Sequence, residues 1–175
     1  ENGNVIKDLS TSSFLASGIP GTVDGMFRIH KKYGSIPMKK LISPAINLAE
    51  KGFVLSKFQA EYFNKYRDKF SKNPETKKIF VKENLWKKGD LFLQKDLAKT
   101  LRRISKYGKD EFYSGTTAKK IINYFQKNGG IFTEDDFINY QSSFKPPLCS
   151  TFIDYKVCSM SLPSSGGIVL SQSLN

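Results

Sequence analysis

The sequence predicts an α+β fold, a mostly helical segment followed by one β-hairpin, on three observations. Up to residue 145, apolar residues recur at spacings of three and four, the period of a helix face. Over residues 146–162 that period gives way to two short strand-like runs around the pair Ile153-Asp154, a hairpin signature. Glycine and proline punctuate the joins, and residues 163–175 open a further helix. At 175 residues the chain is read as one segment, long enough to bury a sizeable core or to form a large piece of something bigger.

In chain order, Pro20-Gly21 launches a helix from Thr22 to Tyr33 that Gly34 stops. Val23, Met26, Phe27 and His30 lie on one face, which reads as core. Pro37 and Pro44 frame two short helical pieces ending at Gly52, with Ile46, Leu48, Ala49 and Phe53 at the apolar positions. Ser56 caps a longer helix whose face carries Phe58, Tyr62, Phe63, Tyr66 and Phe70, read as packing. Residues 74–93 form a connector, with Ile79-Phe80-Val81 and Leu91-Phe92-Leu93 as extended or loop segments around Lys88-Gly89-Asp90. Residues 94–107 restore a helix through Leu97, Leu101 and Ile104, and Gly108 stops it. Thr116 or Thr117 caps the next helix, with Ile121, Ile122 and Phe125 inward and Asn128-Gly129-Gly130 at its end. Thr133, followed by Asp135 and Asp136, opens one more short helix before Pro146-Pro147. The hairpin then pairs Leu148–Phe152 with residues 155–160.

The formal charge is +12, which raises nucleic acid or an anionic membrane as a partner. The residue types argue otherwise. Of 28 basic residues only Arg28, Arg67, Arg102 and Arg103 are arginines, the type suited to bidentate reading of phosphate or guanine. The lysines are dispersed rather than blocked, as on a solvated surface. No apolar run reaches the roughly 18 residues that span a membrane. The chain opens at Glu1-Asn2-Gly3-Asn4 without an initiator Met or a leader pattern and stops at Asn175 inside a helical pattern, so both ends are expected to be cut.

Chemistry-bearing groups are sparse. Cys149 and Cys158, with His30 far away in sequence, are too few for a zinc cluster. Counted outward from Ile153-Asp154 they face each other at a non-hydrogen-bonded position. The thiols are read as reduced and partly buried, with a cross-strand disulfide as the alternative. His30 has no second titratable group spaced to orient it and reads as structural. Asp110-Glu111 and Glu134-Asp135-Asp136 sit at helix starts, where capping accounts for them. Gly3, Gly18, Gly21 and Gly25 do not follow a strand in a βαβ unit, so no dinucleotide fingerprint forms. The run Ser161-Leu162-Pro163-Ser164-Ser165-Gly166-Gly167 has the look of an active site, with hydroxyls and glycines at a strand-to-helix junction. Yet Ser164 and Ser165 lack the flanking glycines of a nucleophile elbow.

The motifs taken in order are more specific than any one of them. Ser17-Gly18-Ile19-Pro20-Gly21-Thr22-Val23-Asp24-Gly25, Lys32-Tyr33-Gly34, and the run from Ser43-Pro44-Ala45 through Glu50-Lys51-Gly52-Phe53 come first. Lys88-Gly89-Asp90, Asp110-Glu111-Phe112-Tyr113-Ser114-Gly115, Asn128-Gly129-Gly130 and Pro163-Ser164-Ser165-Gly166-Gly167 follow. The series resembles the large subunit of bacterial γ-glutamyltransferases over nearly all of the chain. The resemblance implies a piece of an N-terminal nucleophile hydrolase, an αββα sandwich made as a precursor that cleaves itself into large and small subunits. It implies that the small subunit's N-terminal threonine attacks a γ-glutamyl amide such as that of glutathione. Its α-amine serves as base, and water or an amino acid or peptide accepts the γ-glutamyl group. No metal or organic cofactor is implied, the small subunit is the implied partner, and the implied location is periplasmic or secreted.

Under that resemblance the nucleophile, the oxyanion-hole donors and the acidic residue that holds the substrate amine lie beyond Asn175, and the carboxylate-clamping arginine lies upstream of Glu1. No catalytic, substrate-binding or metal site residue is therefore assigned, and none of the four arginines is nominated. The segment is scaffold, expected to be inactive alone, with Ser164 and Ser165 capping a helix that begins near Gly166. Two positions depart from the family pattern. Asp154 stands where glycine is common in the hairpin turn, and Leu162 replaces a proline. The alternatives are a catalytically inactive or divergent paralogue, and a basic surface-binding module using the aromatic helix around Phe58.

Overall fold

The computed structural model describes residues 5–174; Gly3 and the two chain ends read above as cut lie outside the described residues. The chain is α+β and divides into two compact units, one up to Tyr140 and one from Gln141 onward.

The first unit is helical. A short helix α1 (Leu9–Ser12) and a 3₁₀ turn (Phe14–Ala16) precede α2 (Thr22–Tyr33), whose bounds match the sequence expectation. Its apolar stripe is core only in part: Val23 packs against the core around Tyr113 and Phe137, and Phe27 and His30 are half-buried. The buried residue of α2 is Asp24, 3% exposed, whereas Met26 is 61% exposed and opens onto a cavity. An ion pair, described below, holds the inner face of this helix in place of a methionine.

Helix α3 (Met38–Lys51) runs through Pro44, where two separate pieces were expected. A mid-helix proline removes one hydrogen bond and costs about 3 kcal/mol. Packing of α3 along α7 (Lys95–Tyr107) offsets that cost. Gly52 then ends α3 at φ 79°, a conformation that glycine adopts freely.

The strand β1 (Phe53–Val54) pairs antiparallel with β2 (Leu91–Phe92), Phe53 opposite Phe92. Between them lie α4 (Lys57–Lys65), α5 (Arg67–Ser71) and α6 (Pro74–Phe80). Ser56 caps α4 as expected, in a reciprocal box with Gln59. The long aromatic helix is interrupted at Tyr66, and Ile79-Phe80 is helical rather than extended. The cause is local: Asn73 Oδ1 accepts the Glu75 and Thr76 N–H groups, and Pro74 occupies the first helical position. Phe63, Phe80, Trp86 and Phe92 then pack around Leu55 and Ala60 as an aromatic core. Phe58, by contrast, is 75% exposed, so the packing assigned to that helix face holds for only part of it.

Beyond α7, Gly108 turns the chain at φ 76° into α8 (Asp110–Tyr113), α9 (Thr116–Lys127) and α10 (Glu134–Ile138). Tyr113, Ala118, Ile122, Phe132 and Phe137 make the second core, with Ile121 and Phe125 partly buried against it. Thr133 caps α10 with Asp136 in return. Neither Thr116 nor Thr117 caps α9 through its side chain; the position belongs to Gly115, and a carboxylate does the capping.

The second unit is the hairpin β3 (Leu148–Phe152) and β4 (Tyr155–Ser159), with α11 (Gly166–Leu174) packed on both strands. Leu148, Ser150, Val157 and Ser159 are half-buried, while Cys149, Thr151, Lys156 and Cys158 face solvent. The cysteines pair as registered, Cys149 opposite Cys158, but they form a disulfide rather than two reduced, partly buried thiols. A non-hydrogen-bonded pair brings side chains closest, and a Cα separation of 4.1 Å puts the two sulfurs within bonding reach. The left-handed residue of the turn is Ile153, at φ 55°, and not Asp154.

Candidate functional site

The hydroxyl-rich run at the head of α11 was the strongest sequence candidate, and its geometry is that of a junction. Ser164 N–H donates to Ser161 C=O at 3.3 Å, closing a turn that contains the cis Leu162–Pro163 bond. Ser164 Oγ accepts the Gly166 N–H at 3.4 Å, and Ser165 C=O accepts from Val169, the first bonds of the helix. Gly167 is buried because α11 crosses β4 there, where a Cβ would run into the Met160 carbonyl oxygen. These contacts cap and seat a helix.

His30 is likewise structural. Its Nε2 lies 2.7 Å from the Ile36 carbonyl, to which it donates across the α2–α3 loop. Beside it, a cavity of about 550 Å³ is walled by Val23, Met26, Phe27, Leu41, Ala45 and Leu101. That wall offers shape and apolar surface but no acid–base pair.

The buried polar groups of the first unit form two networks that sequence reasoning missed. In one, Tyr113 Oη accepts the Asp24 N–H at 3.1 Å and donates to Pro20 C=O at 2.7 Å, while Lys109 Nζ sits 2.8 Å from Asp24 Oδ1. Burial pushes the Tyr113 hydroxyl above its ordinary range, so it remains a donor. Tyr140 stacks on Tyr113 with centroids 5.6 Å apart, and a Cβ on Gly21 would strike the Tyr140 hydroxyl and push it from this place. Residues 17–25 and 110–115, far apart in sequence, are thus pinned together.

In the other network, Glu111 is 7% exposed. Its carboxylate accepts Arg103 Nε at 2.7 Å, the Thr117 hydroxyl at 2.8 Å, and the Thr116 and Thr117 N–H groups at 3.2 Å. Burial alone would raise the Glu111 carboxyl, but Arg103, Thr117 and the two backbone donors outweigh it and hold the group below its ordinary value. Glu111 therefore caps α9, the helix after its own, with its charge at the positive end of the dipole. Arg103 also reaches Thr100 and Thr117, so the guanidinium is committed to scaffold. The Lys88-Gly89-Asp90 motif has a similar role. Asp90 accepts the Lys87 N–H at 2.8 Å and pairs with Lys82, and the turn donates Gly89 N–H to Leu55 C=O.

The motifs around Asp24, Asp90, Glu111 and Gly167 thus secure turns, caps and close approaches. A family profile described as gamma-glutamyltranspeptidase matches residues 1–175. The chain belongs to the gamma-glutamyltranspeptidase family. It is 42% identical to the glutathione hydrolase proenzyme of Escherichia coli over 177 aligned residues, covering 100% of this chain and 30% of that protein. The gamma-glutamyltranspeptidase crystal structure from Helicobacter pylori superposes with a TM-score of 0.92 at 45% identity, over 99% of this chain and 50% of that one. A cephalosporin acylase from Bacillus halodurans matches less fully, with a TM-score of 0.71 at 25% identity over 77% of this chain and 26% of that one. The chain spans less than a third of the length of the E. coli relative.

Among the described residues no cluster of three or more His, Cys, Asp or Glu could hold a metal ion, and no helix is long and apolar enough to cross a membrane. Asp24 carried no sequence signal beyond a first-turn acid. Glu111 was visible as a helix-start acid, but the helix it caps is set by Gly115, whose Cβ would collide with the Glu111 carboxylate.

Proposed function

We propose that this chain is the scaffold part of a γ-glutamyltransferase large subunit. In this reading the parent protein moves the γ-glutamyl group of glutathione or a related compound to water or to an amino acid or peptide. A threonine outside this chain forms the acyl-enzyme. The single observation that carries the reading is the family match over residues 1–175, together with relatives named glutathione hydrolase proenzyme. The roles of Ser164, His30, Glu111 and Arg103 as caps and pins support the placement of the nucleophile elsewhere. The partner in this reading is the small subunit cut from the same precursor, the relatives being proenzymes by name. The location is periplasmic or secreted, to which the Cys149–Cys158 disulfide lends support, since such bonds persist in oxidising compartments.

The test is release of p-nitroaniline from γ-glutamyl-p-nitroanilide. The 175-residue chain releases none, whereas the self-cleaved full-length protein does. Turnover by the purified chain alone overturns the placement of the active site, and a full-length protein that neither cleaves itself nor turns over supports an inactive paralogue instead.

A further inference from the structure

We infer that the Cys149–Cys158 disulfide is a thiol-exchange site for a small anionic thiol of the glutathione class. Three observations carry this. The disulfide lies on the solvent-facing side of the β3–β4 hairpin, and both cysteines are exposed. The opposite face, through Leu148, Ser150, Val157 and Ser159, is the one α11 covers, so the disulfide is no part of that packing. Lys156 stands two residues before Cys158 on the same strand and therefore on the same face. Accessible disulfides are the labile ones, and a neighbouring ammonium stabilises the departing thiolate and attracts an anionic attacker.

The exchange balances as follows. A glutathione thiolate attacks one sulfur, a new S–S bond forms, the Cys149–Cys158 bond breaks, and its electron pair leaves on the other cysteine, which takes a proton from water. A second glutathione thiolate attacks the mixed disulfide at the glutathione sulfur. Glutathione disulfide departs and the second cysteine is freed, two glutathiones being oxidised and the protein disulfide reduced. Glutathione enters through the function proposed above, but the exchange requires only its thiol. The readout is the state of Cys149 and Cys158, not γ-glutamyl transfer, so the two readings fail separately.

The experiment incubates the self-cleaved full-length protein with millimolar reduced glutathione or, in parallel, the cationic thiol cysteamine, followed by acid quench, iodoacetamide and mass analysis of intact protein and of the peptides that carry Cys149 and Cys158. Without thiol neither cysteine alkylates. With glutathione, a single glutathionyl adduct on Cys149 or Cys158 precedes alkylation of both. Compared per thiolate, glutathione reacts several-fold faster than cysteamine, and Lys156→Gln reduces that preference to about twofold or less. Alkylation of both cysteines without added thiol overturns the proposal. So does a native chain that glutathione leaves intact while the urea-unfolded chain is reduced, and so does an unchanged preference in Lys156→Gln.

Discussion

Two residues carry charge or strain that a substitution would reveal. Glu111 is held ionised by Arg103, Thr117 and two backbone N–H groups, against the burial that opposes it. A carboxyl lowered in the fold contributes stability that is complete above its unfolded value of 4.5 and is lost as pH falls through the folded value. Glu111→Gln removes this contribution and leaves Arg103 without its counter-charge. The expected cost is about 2 kcal/mol at neutral pH, below the range for a fully buried pair because the Arg103 side chain is 25% exposed. Denaturant midpoints should separate wild type from variant at pH 7, begin to approach one another below pH 4.5 and converge only once pH has fallen through the lowered folded value; equal midpoints at pH 7 would remove Glu111 from the scaffold. Ile153 is the opposite case, a β-branched side chain at φ 55° that is mostly exposed. Such a conformation costs roughly 1–3 kcal/mol, and glycine escapes it at an entropic cost of about 0.5–1 kcal/mol. Ile153→Gly should therefore stabilise the hairpin by about 1 kcal/mol, read as a higher unfolding midpoint, whereas Asp154→Gly should not.

At the scale of elements, the junction from β4 into α11 is set by two adjacent glycines with different duties. A Cβ on Gly166 would meet only Ser164 Oγ at 3.5 Å, an ordinary contact. On Gly167 it would collide with the Met160 carbonyl, and backbone cannot swing aside as a side chain can. Gly167→Ala should cost about 2 kcal/mol and loosen α11 from the hairpin, while Gly166→Ala should be neutral or slightly stabilising. Faster hydrogen exchange in β4 for the first variant alone checks this; equal behaviour would mean that α11 does not need its close approach. The sequence displayed α2, α7, α10 and the hairpin register because helical period, caps and turn length are local signals. Pro44 inside α3 misled because packing on α7 overrides a local breaker. Helix α6 is legible in Asn73-Pro74-Glu75, a cap followed by a first-position proline, which outweighs the strand preference of the β-branched and aromatic residues at 79–81. The Asp24–Lys109–Tyr113 and Arg103–Glu111 networks were illegible, since buried charge pairs leave no period and join residues that only the fold brings together.

The whole chain exposes 13209 Å². Compact folded chains follow a size law under which even two separate globules of roughly 140 and 35 residues would expose only about 10,000 Å² in total. The excess of about 3,000 Å² is on the scale of an obligate interface, and large apolar side chains are among the exposed residues. Met26, Ile29, Tyr33 and Leu41 are each more than a third exposed around the cavity beside α2 and α3, and Phe58, Val54 and Leu91 are exposed elsewhere in the same unit. A patch of that kind is not expected to remain wet in a mature protein. Under the proposed function, the remainder of the precursor covers it. A net charge of +12 opposes self-association but supplies no burial. The 175-residue chain should therefore bind the dye ANS under native conditions, with rapid hydrogen exchange across residues 22–45, while in the full-length protein dye binding disappears and exchange over those residues slows by at least about tenfold. If the chain alone binds no dye and exchanges over 22–45 as slowly as the full-length protein, its exposed apolar surface is not an interface, and the chain stands as a self-sufficient domain.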